Sequence, residues 1–160
     1  MGRATVRSAV TDWFAPPNVA GLNAVYTSQP KKIEGSEFFA AAGAGSGAVA
    51  YVYIEDEREI RTHVGGPTSG KKRVDYTVAI VVQFRSTKPK GEDAMADYDA
   101  LLDAVHSRIR ADRTFGSASL LQVGEGSFGV QMSHDLPRKD GETTVIWGAV
   151  RFQATEVLTT

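Results

Sequence analysis

Gly65, Gly70 and Lys71 in the stretch GGPTSGKK, residues 65–72, have the spacing of a loop that wraps a phosphate in backbone N–H groups. That chemistry also needs a hydroxyl directly after the lysine to ligate magnesium, and a following helix whose first amides point at the anion. Lys72 occupies the hydroxyl's place, and the strongest strand pattern of the chain follows it. Gly65, Gly66, Pro67 and Gly70 suit a hairpin loop instead, because proline fixes one turn dihedral and glycine admits left-handed backbone. Lys71, Lys72 and Arg73 then gather positive charge at the hairpin end, where they are candidate contacts for an acidic partner surface or a phosphate backbone, with a solvated turn as the alternative. If they are partner contacts only, replacing all three by Glu impairs assembly and leaves the fold intact.

GAGSGA, residues 43–48, matches a dinucleotide fingerprint that ends in Ala. No strand pattern precedes it, and residues 49–54 read as strand rather than helix, so the loop lacks the helix N-terminus that would bind pyrophosphate. A nucleotide-binding enzyme that uses these glycine loops stays as the alternative function. His63, His106 and His134 have no metal-ligand spacing, and no GxSxG turn supplies a nucleophile. Neighbouring strand residues point to opposite faces, which separates His134 from Asp135. Asp99 and Asp103 lie one helical turn apart, opposite the apolar stripe of their helix, and read as solvent-facing. Trp13 and Trp147 sit among regularly spaced apolar neighbours, as core or interface anchors do. No catalytic, cofactor-binding or metal-ligating residue emerges.

The elements behind these residues follow from periodicity. Val6, Val10, Trp13 and Phe14 recur at helical spacing until Pro16 and Pro17 end the hydrogen-bond ladder. A brief apolar piece surrounds Val25 and Tyr26, and residues 30–47 show no period, which predicts a long mobile loop. Strand signals flank the charged EDERE, at 49–54 and at 60–64. Val74, Tyr76, Val78, Ile80, Val82 and Phe84 then occupy alternate positions, so all six side chains share one face of a strand. That strand is about twice the usual length, and part of it is expected to project beyond the core.

A second, longer helix carries Met95, Tyr98, Leu101, Leu102, Val105 and Ile109 on one stripe. Glu92 and Asp93 favour its positive end and Arg108, Arg110 and Arg113 its negative end, with Gly116 as the stop signal. Further strands follow at 119–123, 127–135 and 143–157, the last two joined by a turn within LPRKDGE. The fold class is α+β: a mainly antiparallel sheet with a short N-terminal helix, one longer amphipathic helix packed on it, and a long β-hairpin.

At 160 residues and 42% hydrophobic, the chain suits one domain spanning 1–160. Its 18 Lys and Arg against 19 Asp and Glu produce no global field for nucleic acid or an anionic membrane. The absence of cysteine removes disulfides and thiol chemistry. The N-terminal residues lack a signal-peptide pattern, and the uncharged stretch 38–54 falls short of a bilayer span. Both faces of the sheet are apolar at mid-length, since Ala79, Val81, Val145, Trp147 and Ala149 oppose the main stripe. Two helices leave much of the second face open, which invites another copy of the chain and, if copies pack head to tail, a ring.

The order of RATVRSAVTDWF, GLNAVY, the hairpin ending VDYTVAIVVQFR, DYDALLDAVHSRIR and VIWGAVRFQATEV resembles the tail terminator proteins of long-tailed bacteriophages that infect actinobacteria. The resemblance implies a homo-oligomeric ring, expected to be hexameric, that caps the tail tube in the virion and stops its polymerisation. Its implied partners are the tail tube protein and a head-completion or connector protein, with phage DNA passing through the ring without sequence-specific binding. It implies assembly in the host cytoplasm, no membrane, no cofactor and no enzymatic activity. Other head-tail connector and neck proteins of similar size are the nearest alternative.

Overall fold

The computed structural model describes residues 2–39, 44–63, 70–116, 121–123 and 129–159. In chain order the elements are α1 (Arg3–Phe14), β1 (Leu22–Tyr26), α2 (Gly35–Phe38), β2 (Ser46–His63), β3 (Lys71–Ser86), α3 (Gly91–Ala111), β4 (Leu121–Val123), β5 (Gln131–His134), β6 (Arg138–Asp140) and β7 (Thr143–Thr159). The expected α+β architecture is present, with its mainly antiparallel sheet, short first helix and longer third helix.

The sheet runs β1-β2-β3-β7, and the outer edge of β7 is shared by the short strands β4, β5 and β6. Only the β1–β2 pairing is parallel; β2, β3 and β7 form a long antiparallel ribbon. The strand signals on either side of EDERE belong to one continuous strand. A bulge between Ile54 and Asp56 inserts an extra residue, after which β2 continues along β3 to His63. Charged residues are tolerated there because most of that stretch is exposed. Residues 71–73 of β3 lie beyond the first buried position, Val74, so the ribbon does extend past its core.

The six-residue stripe of β3 is buried throughout, beneath Val6, Val10 and Phe14 of α1 and Tyr98, Leu101, Leu102, Val105 and Ile109 of α3. Facing them from β7 are Ile146, Val150, Phe152 and Ala154. Gly148 sits in the same row, and a Cβ there would lie 1.8 Å from the Tyr98 hydroxyl oxygen. The glycine is what lets α3 lie close on the sheet.

Two further expectations are corrected. α3 ends at Ala111, before Gly116, and Asp112 takes over its carboxyl end by accepting hydrogen bonds from the Thr114 and Gly116 amides at 2.8 and 3.3 Å. Gly116, with φ +67°, belongs to the turn after the helix. The turn within LPRKDGE is also tighter than its composition suggests. Arg138–Asp140 pairs with β7 as β6, which leaves Gly141 (φ +60°) and Glu142 as the hairpin tip.

Candidate interaction face

On the sheet face opposite α1 and α3, register places Val49, Gln83 and Trp147 in one row and Tyr51, Val81 and Ala149 in the next. The following row is Tyr53, Ala79 and Arg151. Val49 and Ala79 are buried although they lie outside the cluster under α1 and α3. Tyr51, Val81 and Trp147 stay half-buried, and Tyr53 is 55% exposed. Of the residues expected to keep this face open, Ala79, Val145 and Ala149 are buried, and only Val81 and Trp147 stay partly exposed.

One end of the face is covered from within the stretch read as an unstructured loop. Gly35–Phe38 forms a single helical turn, α2, closed by a capping box in which the Glu34 and Glu37 side chains each accept the other's backbone N–H. Tyr26 donates its hydroxyl to the Glu37 carboxylate. This bond, then burial, pushes the Tyr26 phenol up to about 12. The same bond and the Glu34 amide hold the Glu37 carboxyl below its ordinary range. Phe38 is fully buried, its carbonyl accepts from the Asn23 side chain, and the Arg85 guanidinium lies 4.6 Å from its ring centre. A Cβ at Gly47 would meet the Phe38 carbonyl oxygen at 1.5 Å, so that glycine is required for α2 to dock.

Between this segment and the open strands lies a cleft of about 190 Å³, lined among others by Lys31, Lys32, Tyr51, Gln83, Arg85 and Trp147. Arg85 Nε is buried there with no hydrogen-bond acceptor. On the other side of Trp147 a second cleft of about 270 Å³ is bounded by Val81, Ser133, Asp135, Ala149 and Arg151. Trp147 is thus the ridge between two clefts. Sequence reasoning singled out Trp147 but not Arg85, whose only signal was its place off the apolar stripe of β3.

The other expected contacts fare differently. Gly65, Gly66 and Pro67 lie outside the described residues. Gly70 precedes β3, and Lys71, Lys72 and Arg73 are its first three residues. Lys72 and Arg73 pair with carboxylates of the same chain. Arg73 forks onto Asp75 through Nε and Nη2, at 2.7 and 3.0 Å, and Lys72 lies 3.1 Å from Glu59. Asp75 also accepts from Thr155 at 2.8 Å. Burial would raise the Asp75 pKa, but Arg73 and Thr155 outweigh it and hold the carboxyl below its usual range. A triple Glu replacement would therefore also remove an ion pair of the fold at Arg73.

Of GAGSGA, Gly43 lies outside the described residues, and Ser46 already begins β2, so no helix N-terminus follows. Ala44–Gly47 instead forms one wall of a cavity of about 430 Å³ with Ala20, Lys88, Asp97 and Leu101. Ser46 donates to Asp97 at 2.6 Å and Lys88 reaches the same carboxylate oxygen at 2.7 Å, so both polar groups are engaged. His134 packs edge-on to Tyr98, and both His134 and Asp135 line the cleft beside Trp147, so the structure does not separate them as their strand positions predict. Asp99 and Asp103 are exposed, as their spacing predicts. Among the described residues no group of His, Asp and Glu side chains is arranged to hold a metal ion, and no helix is long and apolar enough to cross a membrane. No protein-family model matches the chain, and no curated protein matches it.

Proposed function

We propose that this protein is a structural subunit of a homo-oligomeric ring, of the kind formed by tail terminator proteins. It caps a phage tail tube, stops its growth and offers a surface to head-completion proteins. The observation that carries the reading is the half-open strip Tyr53, Tyr51, Val81 and Trp147 on the sheet face that the main helices leave bare. Aromatic residues flanked by clefts supply the apolar anchors from which oligomer interfaces are built.

Element order adds support, since helix, strand, long hairpin, helix and closing hairpin follow one another as the resemblance implies. The glycine loops considered for nucleotide chemistry act in the fold instead: Ser46 of the second one donates to Asp97, and β3 follows the first where a phosphate-binding helix would be needed. On this reading the protein works in the virion, between tail and head, without a cofactor.

Native mass spectrometry at several concentrations, with electron microscopy of the same samples, tests the proposal. Closed rings that bind the ends of tail tubes are expected. A monomer at every concentration that also ignores tube ends would overturn it.

A further inference from the structure

Three acidic residues of α3, Glu92, Asp99 and Asp103, follow one another at spacings of seven and four, which puts them on one line of the helix. All three are exposed and form no ion pair among the described residues. Three of the four acids of β2 differ, because Glu55 is held by Arg151, Glu57 by Arg3 and Glu59 by Lys72. On the opposite side of the molecule, the cleft beside Trp147 gathers Lys31, Lys32 and Arg85. Lys31 forms no ion pair among the described residues, and Lys32 has only the exposed Glu34. The Arg85 guanidinium leans on the Phe38 ring while its Nε lacks an acceptor.

We infer that the cleft lined by Lys31, Lys32, Arg85 and Trp147 receives the Glu92–Asp99–Asp103 line of α3 from a second copy of this chain. The occupant follows from charge: on the helical side the line carries three exposed carboxylates before the exposed Arg110, and these complement the cations of the cleft on the bare side. Carboxylates seated there pair with Lys31 and Lys32, and the helix flank covers the Trp147 ridge. Because the two patches differ and lie on opposite sides of the sheet, the contact is heterologous and propagates head to tail, as ring closure requires. The inference rests on the ring reading and gives that ring its joint.

A charge swap tests it. The exposed pairs Lys31→Glu with Lys32→Glu, and Asp99→Lys with Asp103→Lys, are made separately and together, and thermal melts verify that each variant folds. Sedimentation velocity at low and high salt reads assembly. Each pair alone is expected to raise the concentration needed for rings by about tenfold or more, and the combination to restore assembly toward wild type. Added salt should weaken the wild-type ring. Rings unaffected by either pair would overturn this joint and leave the ring reading standing. Failure of the combination to restore assembly, or an effect of one pair with none of the other, would show that the two surfaces do not meet each other. A wild-type monomer at all concentrations would overturn the ring and the joint together.

Discussion

Trp13 and Arg108 close each other's helix. The Trp13 indole N–H donates to the Arg108 carbonyl at 3.1 Å, Arg108 Nε donates to the Trp13 carbonyl at 3.1 Å, and the guanidinium lies 3.5 Å from the indole ring centre. Both residues sit near the carboxyl ends of their helices, where carbonyls have no partner within the helix. Pro16 and Pro17 prevent α1 from continuing. One pair therefore supplies a donor to a terminal carbonyl of each helix and ties α1 to α3.

Replacing Arg108 by Ala is expected to lower stability by about 1–3 kcal/mol, from the lost stacking, the lost hydrogen bond and the exposed carbonyl. Urea denaturation measures it. Lysine at this position should recover less than half, because it has no planar fork to stack and donate together.

Gly148 and Tyr98 make a second pair with opposite signs of effect. Burial, aided by the carboxylates of Asp99 and Asp135, pushes the Tyr98 phenol up to about 12, and its hydroxyl has no hydrogen-bond partner. Tyr98→Phe should be neutral or stabilising by about 0.5–1 kcal/mol, since it removes an unsatisfied buried group. Gly148→Ala should destabilise by roughly 1–3 kcal/mol through overpacking. Combining the two should recover much of that loss, because the hydroxyl oxygen is the atom an added methyl would strike. Thermal unfolding of the three variants checks this non-additivity.

The pH dependence has a definite sign at Asp97. Lys88 first, and Ser46 second, hold its carboxyl below the ordinary 3.8. A depressed folded pKa contributes stability that is present above the ordinary value and is lost as pH falls through the folded one. Acid titration of unfolding should therefore show wild type losing stability below about pH 4, with a smaller loss over that window in Asp97→Asn. Identical acid profiles would deny the contribution.

Arg73→Glu should cost on the order of 1–2 kcal/mol even in the isolated chain, because Asp75 is only 7% exposed and would face a like charge. Lys72→Glu should cost less, since Lys72 meets the half-exposed Glu59. Chemical denaturation of the monomer separates these effects from any on assembly.

The legibility of this chain varies with the range of the forces involved. The β3 stripe and the α3 stripe were readable because burial on one side leaves a period of two or of about 3.6 in the residues themselves. The continuous β2 was not, because its EDERE stretch is held as strand by pairing with β3 rather than by apolar content. α2 was hidden for a related reason. Glycine and alanine around it carry no period, and its turn is fixed by Tyr26, Asn23 and Arg85 from other elements. The partnering of Arg73 with Asp75 was within reach, since residues two apart on a strand share a face. The Arg85 cleft was not, because its walls come from four separate stretches of chain.

The sequence by itself determined the alternation of helix and strand, the face each long element buries and the α+β class, since these depend on neighbours a few residues apart. Only the tertiary structure decided which cations remain available for a partner. Lys72 and Arg73 found carboxylates across and along the ribbon, whereas Arg85 was laid against Phe38 with its Nε unsatisfied. Charge pairing depends on distances between residues remote in sequence, and those distances exist only once the sheet has formed.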